Sequence, residues 1–192
     1  MNNTPKEILI HCSDVSSKTM PDQFEAINRW HLDRGFPRSV LGYFVGYHRV
    51  LTGGKNYKAR EDFEEGAHCN KKFDDGVSMN FRSLGVCVGF DGDVEKMPST
   101  EYELLRKQVK SWQERYSISN DRVKFHRDYD PGKTCPGSLL DKKWLAALLS
   151  NDPQPPASPP IPEAKPAEQC EKQEAIIAKQ GEALSLFQRL VN

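Results

Sequence analysis

Apolar residues gather in a few short runs separated by turn-forming stretches. "EILIHCS" (residues 7–13) reads as a short buried strand whose apolar run ends at His11. Thr19 then precedes Pro21, a good first-turn residue, and "DQFEAINRWHLDRG" follows, where Phe24, Ile27, Trp30 and His31 fit helical spacing and Gly35 supplies a stop. "YFVGYHRVL" (43–51) is strand-like, and the turn "TGGK" followed by "NYKAR" predicts a hairpin. "SLGVCVGF" (83–90) is almost continuously apolar, the pattern of a strand covered on both faces.

The second half repeats this alternation. "STEYELLRKQVKSWQERY" carries Tyr102, Leu105, Val109, Trp112 and Tyr116 on one helical stripe, with Thr100 and Glu103 at capping-box spacing. "RVKFH" predicts a short strand ending at His126, and "SLLDKKWLAALL" a closing helix with Ser138 and Asp141 at capping-box spacing. Strands interleaved with helices predict an α/β (α+β) fold: a central mixed β-sheet flanked by helices.

After Leu149 the pattern changes. Residues 153–166, "PQPPASPPIPEAKP", hold seven of the chain's thirteen prolines, which favours an extended, semi-rigid spacer. Beyond it Ile176, Ile177, Leu184, Phe187, Leu190 and Val191 recur at helical spacing, with Gly181 costing that helix about 1 kcal/mol against Ala. An isolated helix of this length is marginal in water, so a partner surface is expected. The chain therefore divides into a domain over 1–150, a proline-rich linker over 151–166 and an amphipathic C-terminal helix over 167–192. Self-association through that helix, docking on the domain and envelope contact are its three uses. Its mixed charge puts membrane contact last.

Charge narrows the partners. The 27 basic residues balance 27 acidic ones, and no block of one sign stands out, so nothing points to nucleic acid. The N-terminal "MNNTPKEILIHCSD" lacks a basic segment followed by an apolar one, and no run approaches the roughly 20 apolar residues of a membrane span. A protein that stays in the cytoplasm of the cell making it is expected. Five cysteines, Cys12, Cys69, Cys87, Cys135 and Cys170, form an odd set without CxxC spacing, which favours reduced thiols over a disulfide framework.

Two histidines, His11 and His126, end strand-like runs, and Cys135 follows the second in the loop "HRDYDPGKTCPG". Adjacent strand ends would bring both imidazoles to one sheet edge, and the loop could return the thiol. Two nitrogens and a sulfur suit Zn²⁺ and leave a fourth position open. The same residues also fit a hydrogen-bonded pair of strand-end histidines and a small buried thiol, and the spacing matches no zinc-finger pattern.

Local sequence adds to this. "ILIHCS", "GYHRVLTGGKNYKAR", "GAH", "NFRSLGVCVGF" and "FHRDYDPGKTCPG" occur in that order. The ordered set resembles the type 2 N-acetylmuramoyl-L-alanine amidases, a family of phage lysozyme-amidases, bacterial wall-recycling amidases and animal peptidoglycan-recognition proteins. The resemblance spans residues 6–149, and Lys133 matches the phage endolysin branch. It implies a single zinc ion held by His11, His126 and Cys135, with Tyr47 and Lys133 catalytic and His68 and Asn80 lining the substrate groove. Tyr43 is the competing choice for the tyrosine; Tyr47 fits the onward spacing and precedes the usual His.

The implied substrate is bacterial peptidoglycan, cut between N-acetylmuramic acid and L-alanine. Lys133 would serve the developing oxyanion and Tyr47 the attacking water or a proton transfer. A phage lysin would need a separate membrane-permeabilising protein to reach the wall. Non-catalytic binders in the family typically lack the cysteine, which is present here; some phage relatives also bind a phage RNA polymerase. Two stretches depart from the family pattern and bear on substrate preference: "CNKKFDDGVSM" between His68 and Asn80, and "FPRSVLGYFV" before Tyr47.

Overall fold

The computed structural model describes residues 3–150. The proline-rich linker and the C-terminal helix, with the self-association expected of it, lie outside the described residues. The elements are β1 (Glu7–Cys12), α1 (Phe24–Asp33), β2 (Arg49–Thr52), β3 (Lys55–Lys58), β4 (Ser83–Val88), α2 (Ser99–Tyr116), β5 (Val123–Phe125) and α3 (Lys142–Leu149). Among the described residues no helix is long and apolar enough to cross a membrane.

The five strands form one mixed sheet in the order β3-β2-β4-β1-β5. β1 runs parallel to both β4 and β5, β2 runs parallel to β4, and only the β2–β3 hairpin is antiparallel. Every residue of β1 and β4 is buried, polar Glu7, His11 and Ser83 included, as strands covered on both faces require.

Alternation along the strands sorts side chains to two faces. Ile8, Ile10 and Cys12 of β1 and Leu84, Val86 and Val88 of β4 pack under α2 and α3, where Tyr102, Leu105, Val109, Trp112, Trp144 and Leu148 close the core. Each fully buried aliphatic side chain there stabilises the fold by about 1.5–3 kcal/mol. On the opposite face Cys87 meets Phe24 and Ile27 of α1, and Leu9 packs on Cys69 and Met79. His11 has the parity of Leu9, so it stands on this second face, at the carboxyl end of a central strand. Crevices outside such strand ends are where open α/β sheets place their ligands.

Three local expectations need correction. The strand expected over 43–51 is confined to Arg49–Thr52, because upstream backbone donors are taken by side chains: Tyr43 N–H by Ser39 Oγ, Phe44 N–H by Asn28 Oδ1 and Gly46 N–H by His31 Nδ1. Pro21 lies before α1, not in its first turn; Gln23 is the N-cap. Neither capping box forms. α2 starts at Ser99 behind Pro98 with no side-chain cap, and α3 is capped by Asp141, whose Oδ1 accepts from Trp144 N–H at 2.7 Å.

Candidate metal centre

Strand register creates the first half of the site. Ile10 lies opposite Phe125 in the β1–β5 ladder, so His11 and His126 leave adjacent strand ends together. Their ring centroids are 4.5 Å apart. His126 opens a short 3₁₀ turn, His126–Asp128, and Asp128 Oδ2 holds Phe125 N–H at 2.9 Å, which fixes where β5 stops.

The second half is a loop brought back by an arginine. Arg127 N–H donates to Cys135 O at 3.0 Å. Its guanidinium donates to Thr134 O at 3.0 Å, to Gly137 O at 2.7 Å and to Leu140 O, and lies 4.5 Å over the Phe125 ring. Asp93 secures the other side, accepting from Thr134 Oγ1 and from Ser138 N–H, both at 2.7 Å. Gly137 meets Gly92 backbone to backbone: a Cβ on either would fall about 2 Å from the other segment, so no side chain fits at that crossing. Arg127 and Asp93 hold this loop, and the sequence motifs did not single them out. The only signal was "HRD" beside His126, which gives no partner for the guanidinium.

The loop delivers Cys135 Sγ to 3.8 Å from His11 Nδ1, and Cys12 N–H donates to the same sulfur at 3.4 Å. Ligand atoms of His11, His126 and Cys135 all lie within 4.8 Å of one another. A tetrahedral ion with bonds near 2.0–2.3 Å requires ligand separations of about 3.5 Å, so a divalent ion fits with small adjustments. Burial, then the neighbouring His68 and His126, hold the His11 imidazole well below its ordinary 6.5, in the neutral form that ligates metals. The Cys12 thiol is pushed up by its hydrogen bond with Cys135 and by burial, so it stays protonated beside the Cys135 sulfur.

The other expected site residues take different places. The Tyr47 ring is half-buried, 5.0 Å from the His11 ring, and burial together with the thiols of Cys87, Cys135 and Cys12 pushes its phenol well above 10. Lys133 is exposed on the turn two residues before Cys135, its N–H bonded to Asp130 O at 2.9 Å. His68 is only 7 % exposed, with Nδ1 3.1 Å from His11 Nε2. Asn80 lines an open cleft of about 470 Å³ with Pro37, Arg60, Phe63 and Glu64, while its Oδ1 accepts from His68 and Cys69 N–H, each at 3.0 Å. Tyr43 packs on Phe24, ring centroids 5.0 Å apart, within the core that covers α1.

Solved structures share this architecture. The N-acetylmuramoyl-L-alanine amidase LysC from Clostridium intestinale URNW superposes with a TM-score of 0.59 at 21 % identity, over 76 % of this chain and 85 % of that one. The Ph2119 endolysin from the Thermus scotoductus MAT2119 bacteriophage gives 0.59 at 19 % identity, over 77 % and 86 %. A Drosophila PGRP-LB mutant in complex with tracheal cytotoxin gives 0.54 at 21 % identity, over 72 % and 78 %. No curated protein sequence matches. The sequence profile of N-acetylmuramoyl-L-alanine amidases matches residues 1–138, most of the chain and both halves of the metal centre. The chain belongs to the N-acetylmuramoyl-L-alanine amidase family.

Proposed function

We propose that this amidase is a zinc-dependent endolysin that cuts peptidoglycan between the lactyl group of N-acetylmuramic acid and L-alanine. The observation that carries the zinc dependence is the convergence of two imidazoles and one thiol within 4.8 Å at the carboxyl ends of parallel strands. His11 Nδ1, His126 and Cys135 Sγ would hold one ion. When bound, zinc supplies Lewis acidity to an amide carbonyl and to an attacking water.

The remaining work falls to protein groups. Tyr47 keeps its proton at neutral pH, so beside His11 it serves as a hydrogen-bond donor that orients water or the scissile carbonyl. Lys133, exposed two residues before the cysteine, supplies a cation for the oxyanion that develops as the carbonyl becomes tetrahedral. The amine of L-alanine leaves with a proton. The phage assignment rests on the lysine in "KTCPG" and on the Pro-rich extension. A cytoplasmic stay in the producing cell, ended by a membrane-permeabilising protein, follows from that assignment.

Metal analysis of the purified protein should find one zinc per chain. A chelator should abolish wall lysis, and added zinc should restore it. Digested wall should show new L-alanine amino termini; binding to wall without them would identify a recognition protein instead. Faster turnover of soluble muropeptides than of intact sacculi would point to wall recycling and against lysis.

A further inference from the structure

His68 is a buried polar residue that the mechanism above does not use. Its ring fills a slot between two backbones: a Cβ on Gly66 would lie 2.5 Å from His68 Cδ2, and one on Gly85 of β4 would lie 2.6 Å from the same atom. The segment bearing it is tied at every step. Gly66 N–H donates to Asn80 O at 3.0 Å, Ala67 N–H to Gly46 O at 2.9 Å, and His68 and Cys69 N–H to Asn80 Oδ1 at 3.0 Å. Asn80 is itself fixed by Ser78 Oγ, which accepts its N–H at 3.2 Å. Its ring meets the His11 ring through a polar contact, His68 Nδ1 to His11 Nε2 at 3.1 Å.

We propose that His68 is a positioning residue for the metal centre: its Nδ1 accepts from His11 Nε2–H and so turns His11 Nδ1 toward Cys135 and the ion. The proposal rests on the reading that His11, His126 and Cys135 hold the metal. The logic is that of a ligand imidazole, whose two nitrogens have complementary tasks. With Nδ1 facing the sulfur at 3.8 Å, the hydrogen must sit on Nε2, and a hydrogen-bond acceptor there fixes both tautomer and ring orientation. Carboxylates or backbone carbonyls usually accept that hydrogen; here a neutral imidazole does. A neutral acceptor suits this buried slot, where a carboxylate would be costly to desolvate. Asn80 then acts at one remove, as the anchor that keeps the 66–69 segment from sliding away from His11. This differs from direct substrate contact, which a side chain 7 % exposed and slotted between two glycines cannot easily offer.

Zinc affinity of the full chain, measured by competition with a chromophoric chelator, tests this. His68→Leu removes the acceptor and should weaken zinc binding about 10–100-fold. His68→Asn returns an oxygen near the Nδ1 position and should stay within a few-fold of the wild type. His126→Ala serves as the control for the site itself: if it leaves zinc affinity unchanged, the metal reading fails, whatever His68 does. If His126→Ala loses zinc while His68→Leu retains it, or raises KM alone, the positioning role is overturned. Should His68→Leu fail to fold, nitrogen-15 imidazole spectra of the zinc-loaded wild type decide. Hydrogens on His11 Nε2 and His68 Nε2, with His68 Nδ1 bare, are expected; a hydrogen on His68 Nδ1 would refute the proposal.

Discussion

The Cys135 thiol owes its position to Arg127, whose guanidinium gathers three carbonyls of the loop that carries it. Hydrogen bonds to a charged donor contribute about 1.5–3 kcal/mol each, and carbonyls left without a donor add a penalty. Arg127→Ala should therefore lower stability by about 2–4 kcal/mol and weaken zinc binding, read by denaturant unfolding and chelator competition. Unchanged zinc affinity would separate the loop from the ligand. Tyr47→Phe and Lys133→Ala should each lower kcat about 10²–10³-fold while the protein retains zinc, checked by kinetics alongside metal analysis. At this scale the meeting of the two histidines and the cysteine, with Tyr47 beside His11, was legible through the motifs. Arg127 was not, because its partners are main-chain carbonyls that any sequence could supply. The surroundings of His68 were hidden for a related reason: the slot is made of glycines, which leave no side chain to read.

Elements were legible where burial dictates composition. β1, β4 and both long helices follow their apolar patterns, since each must cover a face of the same sheet. Where side chains capture the backbone instead, as over 43–48, an apolar run no longer means a strand. One buried charge joins elements across that region. Asp62, 6 % exposed, pairs with Arg49 of β2 at 2.9 Å and accepts from Trp112 Nε1 at 3.2 Å and Tyr116 Oη at 3.0 Å, both on α2. Its only visible advertisement in the sequence is one acid in "REDFEE", and its partners lie far along the chain. Asp62→Ala leaves the Arg49 cation buried without its counterion and should cost about 3–5 kcal/mol in an equilibrium unfolding experiment. A change below 1 kcal/mol would show that water replaces the carboxylate.

Across the whole domain, four of the five histidines are buried. His48 is pressed down to about 4 by burial, and His31 to about 4 by burial and by Arg34 and Arg60; His11 and His68 are lowered as well. The unfolded chain takes up protons on these rings near 6.5, whereas the folded chain refuses them on His48 and His31 until about pH 4 and holds His11 and His68 neutral as well. Stability is thus fully present above about 6.5 and falls as acid is added through that window. His48 alone accounts for roughly 3 kcal/mol of the difference. Urea midpoints of chelator-treated protein should drop steadily from pH 7 to pH 4.5, and a flat profile would contradict neutral buried rings.

β1 sits between β4 and β5, while the loop bearing Cys135 is tied down mainly by side chains. The three proposed ligands are therefore unequal in how they would let go. His11 can leave only when the centre of the sheet comes apart, but the sulfur can swing outward with the fold intact, so exchange of the ion should begin at Cys135. In apoprotein, a small alkylating reagent mapped by mass spectrometry should label half-exposed Cys135 quickly, and buried Cys12, Cys69 and Cys87 only at the rate of global unfolding. Bound zinc should then act as a latch on that loop, slowing the first reaction and leaving the second to follow unfolding.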